Sequence, residues 1–130
     1  MKSKYSSSWS ASKQPRKQRK YRANAPLHRR QKLVSAHLSK ELRTKYGKRS
    51  VQLRKEDEVI VITGEFKGKK GKIEKVSLKK LKVFVEGIKR KKPSGQEVPV
   101  QFDPSNVMVV SIKSEDKKRD ASLRRKMKNV

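Results

Sequence analysis

Residues Glu58 to Ser77 read Glu-Val-Ile-Val-Ile-Thr-Gly-Glu-Phe-Lys-Gly-Lys-Lys-Gly-Lys-Ile-Glu-Lys-Val-Ser. Val59, Ile60, Val61 and Ile62 form an apolar run, glycines follow at 64, 68 and 71, and a second strand restarts at Lys72 with Ile73 and Val76 as its apolar positions. Two apolar segments around a glycine-rich break predict a β-hairpin. Gly64, Gly68 and Gly71 shape its loop, because glycine takes positive φ and lets another backbone come close. Lys67, Lys69 and Lys70 project from the loop and Lys72 opens the return strand. A first strand apolar at every position predicts cover on both faces, as in a small closed barrel.

Downstream, a third strand carries Val83, Phe84 and Val85 and stops at Gly87, Val98 to Phe102 form a short edge strand interrupted by Pro99, and a last strand runs from Val107 to Ile112. Pro93-Ser94-Gly95 and Asp103-Pro104-Ser105 mark the turns between them. Five short strands spaced by turns predict a mainly β fold, a small SH3-like barrel. Upstream, Pro26 favours a helix running to Val34, with Leu27, Val34 and Leu38 on a shared face. Ser39 as N-cap, Glu41 in the first turn, Lys45 in the last and Gly47 beyond define a second short helix over Lys40 to Tyr46, anchored by Leu42. Met1 to Arg22 show neither strand nor helix periodicity and are expected to be disordered in isolation. From Ser114, early Glu115 and Asp116 and later Lys and Arg suit a helix dipole, with Leu123 and Met127 as weak pins. The resulting division is a basic extension at 1–25, two short helices at 26–50, the barrel at 51–112 and a basic helical tail at 113–130.

The chain has 130 residues and a formal charge of +26 at pH 7. Hydrophobic residues make up only 32% and charged ones 38%, so the core must be small. The charge is uneven. Residues 1–50 hold 16 Lys and Arg against one acid, 51–112 hold 14 against 8, and 113–130 hold 8 against 3. More than half of the excess therefore lies where the core is thinnest. A body this basic repels its own copies and seeks a polyanion, so nucleic acid is the expected partner and homo-oligomerisation is not.

Arg16, Lys17, Arg19, Lys20 and Arg22 in the extension, Arg29, Arg30 and Lys32 in the first helix, and Lys67, Lys69, Lys70 and Lys72 at the hairpin loop are the candidate RNA-binding residues. The block from Lys13 to Arg22 would also serve nuclear import. Trp9 and Tyr21 could stack on unpaired bases or pack on their own chain. The absence of cysteine removes disulfides, thiolate metal sites and cysteine nucleophiles. His28 and His37, nine residues apart, do not make a zinc site. Glu56, Asp57 and Glu58 cluster beside a strand start, but no activated nucleophile or metal set accompanies them, so neither enzyme activity, a cofactor nor a small-molecule substrate is expected. No apolar run of about 18 residues exists to span a membrane, and Met1 to Ser10 lack the apolar core of a secretory signal. A soluble intracellular protein is the expectation.

Glu58-Val59 through Gly64, Lys67-Gly68, Gly71-Lys72-Ile73 and Val76 resemble a KOW motif, shared by some ribosomal proteins and transcription elongation factors, here at about 58–84. The flanks extend the likeness: Arg16-Lys17-Gln18-Arg19-Lys20, Ala25-Pro26, Arg29-Arg30-Gln31-Lys32-Leu33, Leu38-Ser39-Lys40-Glu41-Leu42-Arg43, Tyr46-Gly47 and Pro104-Ser105. Together they resemble the archaeal and eukaryotic form of the universal L-twenty-four family of large-subunit ribosomal proteins, called L-twenty-six in eukaryotes. The resemblance implies binding to the 5′ domain of large-subunit ribosomal RNA near the rim of the peptide exit tunnel, early entry into assembly, and neighbouring ribosomal proteins as further partners. It also implies a cytosolic ribosome, with passage through the nucleus in a eukaryote. His37 stands where a proline is common, and Thr63 and Asn106 stand where basic residues are common. Lys69 and Lys70 could supply the two missing cations. A KOW-type elongation module contacting RNA polymerase is the alternative, and it would call for a second domain and a mainly protein partner.

Overall fold

In the computed structural model, which describes residues 5–9 and 11–125, the hairpin quoted above is the centre of one continuous sheet. Its strands, β3 (Glu58–Val61) and β4 (Lys70–Ser77), pair antiparallel with Glu58 opposite Lys72 and Ile60 opposite Lys70. Two strands precede them, β1 (Ser35–Leu38) and β2 (Ser50–Gln52), and three follow, β5 (Lys82–Lys91), β6 (Glu97–Phe102) and β7 (Val107–Ser111). The order across the sheet is β2-β1-β7-β3-β4-β5-β6. All pairings are antiparallel except β1 with β7. Register shifts in β3, β4 and β5 bend the sheet around a single apolar cluster. The result is a small, mainly β, barrel-like fold with helices at both ends, as the strand spacing predicts.

The core is built by alternation. Val59 and Val61 are buried on β3, Ile73 on β4, Val83 and Val85 on β5, and Val107 and Val109 on β7. Ile60 and Ile62 are only half-buried, which corrects the expectation of cover on both faces. The bent sheet has one inside, and β3 obeys the ordinary period of two. Gly71 lies where β4 crosses β5: a Cβ there would come within 2.6 Å of Val85 Cγ1 and 2.9 Å of the Glu86 carbonyl oxygen. Its role is close approach, whereas Gly64 and Gly68 take φ of 91° and 88° and turn the loop.

Several boundaries move. There are seven strands rather than five among the described residues, because Ser35–Leu38 and Ser50–Gln52 pair with each other, with Ala36 opposite Val51. Val34, Ala36 and Leu38 are all buried and lie two apart, so they belong to one side of an extended segment and not to a helical face with Leu27, which is 64% exposed. β5 does not stop at Gly87: that glycine, at φ 79°, sits inside a register shift and the strand continues to Lys91. Pro99 lies within β6, tolerated because β6 is at the sheet's edge.

The helices are α1 (Pro15–Asn24), α2 (Leu27–Leu33), α3 (Lys40–Tyr46) and α4 (Lys117–Arg124). α3 forms as its sequence prescribes: the Ser39 hydroxyl accepts from the Leu42 N–H, and Gly47 closes it in the left-handed conformation. Within the extension, expected to be disordered in isolation, the folded chain forms the helix α1. Pro15 occupies its first turn and good helix formers follow, all but Tyr21 and Asn24 exposed. α4 is capped by Asp116, whose carboxylate accepts from the Lys118 N–H. Leu123 is buried; its expected partner Met127 lies outside the described residues.

Candidate nucleic-acid interface

α1 carries five of the predicted cations and no acid. Such a helix repels itself, since Arg16 faces Arg19 and Lys20, and Arg19 faces Arg22, at helical spacing. External contacts hold it. The Gln18 side-chain amide donates to the Ser12 carbonyl at 2.6 Å. The Arg30 guanidinium does more: it donates to the carbonyls of Ala23 at 2.5 Å, Ala25 at 2.8 Å, Lys79 at 2.8 Å and Leu78 at 3.3 Å. One side chain on α2 thus ties the end of α1 to the turn between β4 and β5. Arg30 is a candidate phosphate ligand by sequence, and the structure directs its donors at backbone carbonyls instead.

That tie creates a concavity of about 300 Å³ lined by Arg19, Arg22 and Arg30 from the helices and by Lys79, Lys80 and Lys82 from the turn, with Asp103 at its edge. The turn ends on Leu81, which is buried at a left-handed φ of 56°. The Lys82 ammonium pairs with Asp103, leaving Lys79 and Lys80 exposed. Sequence reasoning misses these lysines, although a Lys-Lys pair in a hairpin turn is the same signal that draws attention to the loop before β4.

The loop lies at the other end of β4. The Gly68 N–H donates to the Val61 carbonyl at 2.7 Å and the Val61 N–H to the Lys69 carbonyl at 3.0 Å, closing it tightly. Lys67, Lys69, Lys70 and Lys72 are all exposed. Lys69 stands over the Phe66 ring at 4.9 Å from its centre and Arg90 at 5.7 Å, while Arg90 also pairs with Glu65 at 2.6 Å. Eight residues of β4 span roughly 25 Å. Arg19, Arg22 and Arg30 on the one hand and Lys67, Lys69, Lys70 and Lys72 on the other therefore lie in two patches at opposite ends of one strand rather than in a single site.

Carboxylates sort the cations further. Among the described residues the ion pairs use Arg54, Lys82, Arg90, Lys113, Arg119 and Arg124. None of these is among the candidates read from sequence. Arg16, Lys17, Arg19, Lys20, Arg22, Arg29, Lys32, Lys67, Lys69, Lys70 and Lys72 have no carboxylate within ion-pair distance among the described residues, and all but the half-buried Arg29 are exposed. Lys32 is apart from both patches, beside a groove of about 440 Å³ shared with Lys48, Arg54 and Lys118.

A family model for the L26 ribosomal proteins of eukaryotes and their archaeal L-twenty-four counterparts matches residues 12–126. The chain is also 44% identical over 115 residues to the large ribosomal subunit protein uL24 of Korarchaeum cryptofilum (strain OPF8), covering 88% of each. The chain belongs to this family of ribosomal proteins. The matched span includes α1, the whole sheet and α4, and hence both patches. It begins after Tyr5 and Trp9, which pack on Tyr21 of α1 with ring centres 5.1 and 5.0 Å away. The Tyr5 and Tyr21 hydroxyls share a hydrogen bond of 2.8 Å, which raises the Tyr5 pKa above the usual phenol value. No cluster of metal-ligating side chains and no helix long and apolar enough to cross a membrane occurs among the described residues.

Proposed function

We propose that this protein is a structural constituent of the large ribosomal subunit that binds large-subunit ribosomal RNA through backbone contacts. The observation that carries this reading is the set of cations without carboxylate partners at the two ends of β4. The major groove of A-form RNA is too narrow for side chains to read, so an RNA helix is met through phosphates and shape. Each cation brought to a phosphate releases a counterion. Two patches about 25 Å apart suit two RNA segments bridged by one rigid sheet, which is a scaffold's task and not a catalyst's. The family points to the 5′ domain of that RNA near the exit tunnel, to early assembly, to ribosomal proteins as neighbours and to the cytosolic ribosome. If the source is a eukaryote, the protein passes through the nucleus first. The elongation-module reading has no observation in its favour.

Sedimentation of a native lysate tests this. The protein should co-migrate with large subunits and assembled ribosomes and leave them only in high salt. Recovery with polymerase or in free fractions, and none with large subunits, would contradict it.

A further inference from the structure

Tyr5, Trp9 and Tyr21 do more than pin the start of the chain. With Ser6, Lys17, Lys20 and Asn24 they line a cavity of about 230 Å³. Three of its seven lining residues are aromatic, yet all three rings are only half-buried. A cluster serving the core alone would bury them, and α1 has no buried residue to which they could be joined. The cavity is smaller than the roughly 300–1,000 Å³ of pockets that enclose a whole drug-sized ligand. It suits one flat ring inserted from a chain that stays outside. No carboxylate lines it, and Lys17 and Lys20 stand at its side. An aromatic cage for a cation would be opposed by those two ammonium groups, whereas a polyanionic chain would be drawn to them.

We propose that this cavity is a binding site for one unpaired nucleobase of RNA, stacked against Trp9 or Tyr21 with flanking phosphates on Lys17 and Lys20. The proposal deepens the RNA-binding reading and rests on it. The helix α1 then has two working sides: Arg19 and Arg22 face the concavity shared with the β4–β5 turn, and Lys17, Lys20, Tyr21 and Asn24 face the aromatic cavity. The first takes backbone alone. The second adds a base. Tyr5 and Trp9 precede the span that matches the family model, whereas Lys17, Lys20, Tyr21 and Asn24 lie inside it.

Trp9 is the only tryptophan, so the site reports on itself. The full chain is titrated with a short oligoadenylate and with an abasic ribose-phosphate chain of the same length and charge. The base-bearing chain should quench Trp9 fluorescence and bind about tenfold more tightly than the abasic one, the range expected for one stacked base. Read by the fluorescence anisotropy of dye-labelled chains, since these variants lack the tryptophan, Trp9→Ala should erase that preference and Trp9→Phe retain most of it, with far-UV circular dichroism unchanged in both. If both chains bind with equal, salt-dependent affinity and equal effect on Trp9, the base site is wrong while the RNA-binding role stands. If neither binds at low salt, the RNA-binding role itself falls and the base site with it.

Discussion

Asp57 is wholly buried and Arg119 is 8% exposed, an uncommon situation for two charges. The Asp57 carboxylate accepts two hydrogen bonds from the Arg119 guanidinium, at 2.5 and 2.7 Å, and one each from the Arg54 N–H at 3.0 Å and the Lys113 N–H at 3.2 Å. Arg119 also donates to the Gln52 carbonyl at 2.9 Å. The pair is therefore satisfied on both sides, and removing one partner strands the other. Asp57→Ala or Arg119→Ala should each cost about 3–5 kcal/mol, a large share of a typical stability of about 5–15 kcal/mol. Urea unfolding measures this, and a loss within about 0.5 kcal/mol, as for an ordinary surface change, would show that the pair is not structural. In sequence, Asp57 is indistinguishable from the solubilising acids Glu56 and Glu58, and Arg119 from the other cations of the tail. The two are far apart in the chain, and residue type alone does not say which of many charges will meet inside. Arg30 illustrates the same limit. Its charge is legible, but its four carbonyl partners depend on where the β4–β5 turn falls.

Elements with local signals are readable in advance. The Ser39 cap and Gly47 set α3, and the Gly64 to Gly71 loop sets the central hairpin. β1 escapes a sequence reading because four residues give a weak period, and its parallel partner β7 is remote in sequence. α1 escapes it because its stability is not local. It is too short to be helical alone and its like charges oppose one another. Arg30→Ala should therefore release α1 from the β4–β5 turn: α1 amides lose hydrogen-exchange protection while those of β3, β4 and β5 keep theirs. Equal loss in both would mean that Arg30 supports the sheet itself. α4 is held differently, by Arg54 on Asp116 at 2.5 Å in addition to Arg119, and the segment leading to it is held by Lys113 on Glu56. The Arg54 hydrogen bond lowers the Asp116 pKa, and the Lys113 hydrogen bond lowers that of Glu56 and is matched by a raised Lys113. Depressed carboxylates stabilise the fold above their unfolded values and lose that effect as pH falls through the folded ones; a raised lysine loses its effect only in strong alkali. The α4 amides should thus lose protection below about pH 4, before β3 and β7 do. Uniform protection across that range would contradict the assignment.

At the scale of the whole molecule, charge and fold divide the work. Net +15 resides in residues 1–50, ahead of the central hairpin, and that segment contributes only β1 and the start of β2 to the sheet. Seven of the twelve carboxylates pair with cations, most of them tying separate elements together, while the candidate cations of α1 and the loop lack such partners among the described residues. The division of charge is legible from the sequence; the separation into two patches is not, because it follows from the length of β4. On the proposed function, the cations of α1 neutralise RNA phosphates from a folded platform. This is tested most directly by the salt dependence of binding to a 5′-domain transcript of large-subunit ribosomal RNA. The intact chain is compared with the variant Arg16→Gln, Lys17→Gln, Arg19→Gln, Lys20→Gln, Arg22→Gln. The slope of log affinity against log salt should fall by about four in magnitude, each contact contributing roughly 0.7–0.9, while the sheet's circular dichroism is unchanged. A slope equal to that of the intact chain would contradict the account.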